Sequence, residues 1–159
     1  MEYGFQTYLT FKIGESLFGV TVDKVLEISE YKAPQPIPES INYLLGITEF
    51  REEIIPIIDS GLKLNFNRTD INALSCIIVL ELYNSELSKK YHLGIIVDSV
   101  TDVIEVPLDE IKNIENDFKP GYILASVKSS QGWVYIMNSD KIFNEKEVIA
   151  IDKVLKTIK

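Results

Sequence analysis

A short motif recurs far along the chain. Phe18-Gly-Val-Thr-Val-Asp-Lys-Val25 lines up with Leu93-Gly-Ile-Ile-Val-Asp-Ser-Val100 at an offset of 75 residues, matching the glycine, a valine, the aspartate and the last valine. Tyr43-Leu-Leu then lines up with Tyr122-Ile-Leu, and Ile57-Ile-Asp-Ser60 with Ile136-Met-Asn-Ser139, at an offset of 79. The order of elements is kept, and four residues are added in the second copy. Such a period exceeds those of solenoid repeats, so two lobes facing each other is the better picture. Chance likeness between apolar strands is the competing explanation. If the repeat is genuine, the chain is two similar small β-lobes, each with a strand pair before and after a Pro-containing connector, and with a groove between the lobes where another protein can lie.

The local patterns agree with β-structure. Phe5, Thr7, Leu9, Phe11 and Ile13 fall on one face and Gln6, Tyr8, Thr10 and Lys12 on the other, the period of a half-buried strand. Gly14-Glu15-Ser16 turns the chain and LFGVTV returns it, making a hairpin. Further strands are expected at 24–31, 43–50, 54–58, 74–82, 91–98, 100–106, 122–128 and 133–137. Pro34, Pro36 and Pro38 make APQPIPES an extended connector, while NFNRTDIN and NSELSKK read as solvated loops. Many short strands with few helices imply a small barrel or sandwich, in which closure removes exposed edges.

One helix is expected, at the carboxyl end. Asn144 and Glu147 have the spacing of a capping box, and Val148, Ile151, Val154, Leu155 and Ile158 then share one face. Lys153, Lys156 and Lys159 crowd the end where the helix dipole favours cations.

At 159 residues the chain can bury one sizeable core, or two small ones that are shared. A formal net charge of −8 with scattered lysines excludes a basic stripe for nucleic acid or an anionic membrane surface. No signal peptide or membrane-length apolar run is expected, and the lone Cys76 reads as a small buried hydrophobe in a reduced, cytoplasmic protein.

Catalytic patterns are missing. The only histidine, His92, has no cysteine near it and cannot make a zinc site. No nucleophile elbow, GxxxxGK[ST] or GxGxxG occurs. Glu49, Glu52 and Glu53 could be read as a carboxylate cluster, but acid catalysis needs a buried acid and these fall in an apparent hairpin turn open to water. Asp98 and Asp102 lack calcium-loop spacing. The expectation is a binding protein with no catalytic residues, no metal and no cofactor.

Four segments, in order, carry a chain-long resemblance: YLTFKIGESLFGVTVDKVLEI, YLLGITEFREEIIPIIDSGLKL, HLGIIVDSVTDVIEV and DKIFNEKEVIAID. Together they are similar to the CheW-type coupling proteins of bacterial chemotaxis. The resemblance implies a mainly β fold of two intertwined, SH3-like five-stranded barrels with a short C-terminal helix. It implies one CheW-like domain over 1–159, with approximate lobes at 15–75 and at 1–14 plus 76–143 and the helix at 144–158. It also implies a non-catalytic scaffold that joins the cytoplasmic tip of chemoreceptors to the regulatory domain of the histidine kinase CheA, without inserting in the membrane itself. An adaptor in another kinase pathway, such as twitching motility, is the alternative.

Residues carried over from the family pattern are Val25, Glu27, Gly46, Arg51 and Val103 for receptor binding and Lys112 and Phe118 for kinase binding. The Arg51 guanidinium would offer its planar fork to a receptor helix, or to Glu27 as an organiser; the alternative is a surface arginine paired with Glu49 or Glu53. The family's NLRG becomes Glu49-Phe50-Arg51-Glu52, so its asparagine and glycine are both glutamates here. The arginine usual after PIIDL is absent, since Ser60 and Gly61 follow Asp59, and a second-lobe glycine is Ala125.

Overall fold

A computed structural model describes residues 4–38, 41–114 and 120–157. The opening hairpin is β1 (Phe5–Ile13) and β2 (Ser16–Thr21). There follow β3 (Val25–Glu30), β4 (Leu44–Phe50), β5 (Glu53–Asp59), β6 (Cys76–Asn84), β7 (Lys89–Val97) and β8 (Ser99–Pro107). The last strands are β9 (Lys112–Asn113), β10 (Ile123–Ser129) and β11 (Gly132–Met137). Two helices complete the chain, α1 (Ser60–Lys63) and α2 (Glu145–Lys156). Every strand expected from alternation forms, whereas β9 and α1 are too short to show a period. Cys76, expected to be buried, is half-exposed because it opens β6 and not its centre.

The strands form two sheets, β8-β1-β2-β11-β10-β9 and β3-β6-β7-β5-β4. Laid over the repeat, β1 to β5 correspond to β6, β7, β8, β10 and β11, and the two sheets then have the same strand order. Each sheet takes a hairpin from one copy and three matching strands from the other, and the six-stranded sheet adds β9 at its edge. The lobe boundaries expected at 15–75 and at 1–14 plus 76–143 therefore do not follow the sheets: β2 stays with β1, and β6 and β7 join β3, β4 and β5. The exchange is made by two parallel pairings, β2 with β11 and β7 with β5.

Those pairings explain the recurrent motif physically. Gly19 lies opposite Ile136, and Gly94 lies opposite Ile57, so the repeated glycine meets the repeated isoleucine both times. A Cβ on Gly94 would stand 2.8 Å from Ile57 Cδ1 and 3.0 Å from Ile77 Cγ2; on Gly19 it would stand 3.2 Å from Ile136 Cδ1. At Gly94 the neighbouring isoleucines would have to shift, and at Gly19 they would have to give by a few tenths of an ångström. The position held by Asp59 in one copy and Asn138 in the other is also used twice. Buried Asp59 accepts hydrogen bonds from Leu62 N at 3.2 Å and Thr69 Oγ1 at 2.8 Å, and Asn138 accepts one from Asp140 N at 3.2 Å.

The largest apolar cluster draws on both sheets, with Leu9, Phe11 and Val20 meeting Ile58, Ile78, Leu80 and Leu93. Val148 and Ile151 of α2 close it. Asn144 caps that helix: its side chain accepts from Glu147 N at 2.9 Å, and Glu147 Oε1 accepts from Asn144 N at 3.1 Å. Ile158 and Lys159 lie outside the described residues. A smaller cluster of Phe50, Ile55, Ile57, Ile77, Val79 and Ile96 belongs to the five-stranded sheet alone. Phe50 is its outermost link to the β4–β5 turn.

Candidate binding site

Phe50 pairs with Glu53, so Arg51 and Glu52 form a two-residue hairpin loop. Their φ angles are 49° and 67°. Positive φ at both central positions is the mark of a type I′ turn, which favours Asn-Gly because side chains strain it. Two bulky residues there cost about 1 kcal/mol or more each, so the surroundings must hold the turn in place.

Three contacts do so. The Phe50 ring is buried, and the Arg51 guanidinium lies over it at 4.7 Å from Cζ to centroid. Arg51 Nη2 donates to the Leu26 carbonyl at 3.3 Å. The Glu53 carboxylate meets His92 Nδ1 at 2.8 Å.

The Leu26 carbonyl is available because β3 is bulged. Val25 pairs with Leu80 and Glu27 with Val79, leaving Leu26 opposite no residue of β6. Such a bulge frees backbone groups from the ladder. The bulge recurs at Thr101 in β8, between the pairs of Thr10 with Asp102 and Phe11 with Val100. There Thr10 and Thr101 join their hydroxyls at 2.7 Å. Only the first copy offers its bulge to an arginine.

The structure thus gathers Val25, Glu27 and Arg51 around one carbonyl. Val25 is half-buried against the shared core, while Glu27 and Arg51 are exposed. Among the described residues Arg51 has no ion pair, so neither the Glu27 organiser nor the pairing with Glu49 or Glu53 is made. Gly46 is buried on β4 beneath the proline connector, where Gln35 and Ile47 exchange two backbone hydrogen bonds of 2.9 Å. A Cβ on Gly46 would overlap the Gln35 carbonyl, 2.7 Å from its carbon. In the second copy the connector is β9, which pairs Asn113 with Ala125 in ordinary register, and a methyl fits. Val103 stands 55% exposed on β8 of the other sheet. Lys112 is exposed on β9, opposite Ser126. Phe118 lies outside the described residues.

Residue-type reasoning passed over His92. Its Nε2 meets Glu81 Oε2 at 3.1 Å, so the ring sits between carboxylates from β5 and β6. Partial burial pulls the imidazole pKa down, but the hydrogen bonds to Glu53 and Glu81 outweigh it and hold the value above the ordinary range. The hydrogen bond to His92 lowers Glu81 in turn, assisted by Lys90 at 3.4 Å. The Glu81–His92 half of this group could be found from the symmetry of the β6–β7 hairpin, whereas the Glu53 half depends on the parallel pairing of β5 with β7. Among the described residues no cluster of three or more His, Cys, Asp or Glu is disposed to hold a metal ion. No helix among them is long and apolar enough to cross a membrane.

A surface arginine on a rigid turn, beside a bulged strand, suits recognition of another protein. The family model described as CheW-like domain matches residues 7–147. The chain belongs to the CheW family. The chemotaxis protein CheW of Treponema pallidum (strain Nichols) is 27% identical over 147 residues, covering 88% of this chain and 83% of the relative. Protein FrzA of Myxococcus xanthus is 23% identical over 141 residues, covering 86% of this chain and 84% of the relative. Among solved structures, that of the scaffolding protein TtCheW from Thermoanaerobacter tengcongensis superposes with a TM-score of 0.74 at 24% identity, covering 87% of this chain and 88% of the other. The two lobes are accordingly SH3-like barrels of the CheW kind.

Proposed function

We propose that this chain is a non-catalytic scaffold that couples chemoreceptors to the histidine kinase CheA in bacterial chemotaxis. CheW family membership supports the class of function. The observation that carries the receptor side is the Arg51 turn, clamped over Phe50 and onto Leu26, beside Val25 and Glu27. A receptor helix would take apolar contact area from Val25 and Val103, with Glu27 and Arg51 setting register. Arg51 uses one nitrogen on Leu26, and its remaining N–H groups stay available to a partner carboxylate or carbonyl. Lys112 and the segment containing Phe118 are assigned to the kinase's regulatory domain. The protein would act in the cytoplasm, recruited to membrane-associated receptor arrays where many modest contacts add.

Likeness to protein FrzA is compatible with a second reading, an adaptor in another kinase pathway such as twitching motility. Titration of the full chain with CheA's regulatory domain and with a receptor-tip fragment, using wild type and Arg51→Glu, tests the first. Binding to both, with only the receptor side lost in the variant, is expected. Unchanged receptor binding by Arg51→Glu would remove Arg51 from the contact, and binding to neither partner would point to the other pathway.

A further inference from the structure

We propose that His92 is a positioning residue for the Arg51 turn, gripping Glu53 when its ring is protonated and releasing it when the ring is neutral. The inference rests on the reading of that turn as the receptor contact.

The chemistry follows from what faces each ring nitrogen. Nδ1 meets the Glu53 carboxylate and Nε2 the Glu81 carboxylate, at 2.8 and 3.1 Å. Ionised carboxylates only accept, so two N–H donors are needed, and only the imidazolium has two. A neutral ring carries one N–H and one lone pair. The lone pair would face carboxylate oxygen, and one of the two contacts must open.

The remaining charges decide which one opens. Glu81 is also held by Lys90 from the same strand as His92, at 3.4 Å. From α2, Asp152 faces the same cleft, but it is engaged by Lys89 at 2.9 Å and by Lys156 at 3.3 Å. Arg51 is committed to Leu26 and the Phe50 ring. Glu53 has no second partner among the described residues, and its side chain is 49% exposed against 35% for Glu81. Deprotonation therefore frees Glu53. It directly follows two residues at positive φ, so losing this tether lets a strained turn relax away from the geometry that presents Arg51.

The direction with pH is fixed by the same groups. The folded-state pKa of His92 is raised, so the clamp is complete below the ordinary histidine value of about 6.5 and is lost as pH rises through the raised value.

His92 is the only histidine, so proton–carbon NMR reads its ring directly in the full-length protein. In wild type the midpoint is expected above about 6.5, with the backbone amides of Arg51, Glu52 and Glu53 shifting at that same midpoint. Glu81→Gln should lower the midpoint, and His92→Gln should abolish the shared transition of the turn amides. A receptor-tip fragment should bind wild type about twofold to fivefold more weakly above the midpoint, the factor expected of one exposed ion pair, and bind His92→Gln with no such dependence. Turn amides that ignore the ring's titration, or a ring midpoint at or below the ordinary value, would overturn the clamp. Moving amides with constant receptor affinity would overturn the positioning role. A fragment that binds at no pH would refute the receptor reading, while the amide titration would still decide the clamp.

Discussion

Gly46→Ala separates a glycine that contacts a partner from one that lets the backbone pack. The added Cβ would lie 2.7 Å from the Gln35 carbonyl carbon and 3.2 Å from Pro36 N, closer still to the Gln35 oxygen. Backbone cannot swing aside as a flexible side chain can, so the connector must lift from β4. Lifting breaks both Gln35–Ile47 hydrogen bonds, worth about 1 kcal/mol each, and misfit of an added methyl in a packed site costs roughly another 1 to 3 kcal/mol. The expected loss is about 3 to 5 kcal/mol, on the order of 10 °C in Tm for a chain of this size. The counterpart in the other copy supplies a control. Ala125→Gly removes one buried methyl, about 0.8 kcal/mol, and adds about 0.5 to 1 kcal/mol of glycine chain entropy. Urea unfolding should show a large fall in midpoint for Gly46→Ala and a smaller one for Ala125→Gly, with the slope m unchanged. A midpoint for Gly46→Ala equal to wild type, with the Ile47 amide still protected from exchange, would refute the reasoning. Reduced receptor affinity at unchanged stability would instead make Gly46 a direct contact.

Glu147→Gln should cost about 1 to 2 kcal/mol at neutral pH, because the Tyr43 hydroxyl at 2.7 Å and Lys63 at 3.2 Å would lose a carboxylate, while glutamine at that position preserves the capping box. Burial pushes the Glu147 carboxyl up, but Tyr43, the Asn144 backbone and Lys63 hold it below the ordinary range. The contribution is therefore complete above about pH 4.3 and is lost as pH falls through the depressed value, so the two unfolding curves should converge in acid. Convergence at neutral pH would disprove it. Glu52→Gly, which relieves the φ of 67°, should stabilise the chain by about 0.5 to 1 kcal/mol, read by the same urea midpoint; a loss of stability would contradict the turn assignment. Combined with Glu49→Asn it also removes two acidic groups beside Arg51, and should strengthen binding of receptor tips that are themselves acidic. Unchanged binding to every tip would show that these glutamates do not select partners.

Phe5 to Ile13 shows how much of this was legible. Alternation there announces the strand but not its burial: Tyr8 and Thr10, on the face opposite Leu9 and Phe11, are buried as well, and Phe5 is exposed, because the middle of β1 is covered on both sides. Asn144 and Glu147 announce the start of α2 from their spacing alone, since both partners of a capping box lie within one turn. Gly19, Gly94, Ile57 and Ile136 announce a repeat, but not that its copies exchange hairpins. The Arg51 turn was placed correctly, whereas its positive φ angles run against turn propensity and its hold on Leu26 depends on a bulge in a distant strand. The same holds for His92: its neighbour Glu81 follows from a hairpin, while Glu53 arrives through a parallel pairing.

Local periodicity, capping and repetition are properties of adjacent or regularly spaced residues, and they suffice for the elements, the duplicated plan and the family. Which strands lie side by side across the exchange, which carbonyl the bulge at Leu26 releases and which carboxylates meet at His92 are contacts between residues 11 to 117 positions apart. Such contacts are selected by burial of the shared core, whose clusters join both sheets, and not by the preference of any one segment. Only the folded chain brings Arg51, Leu26, Glu53 and His92 into one place.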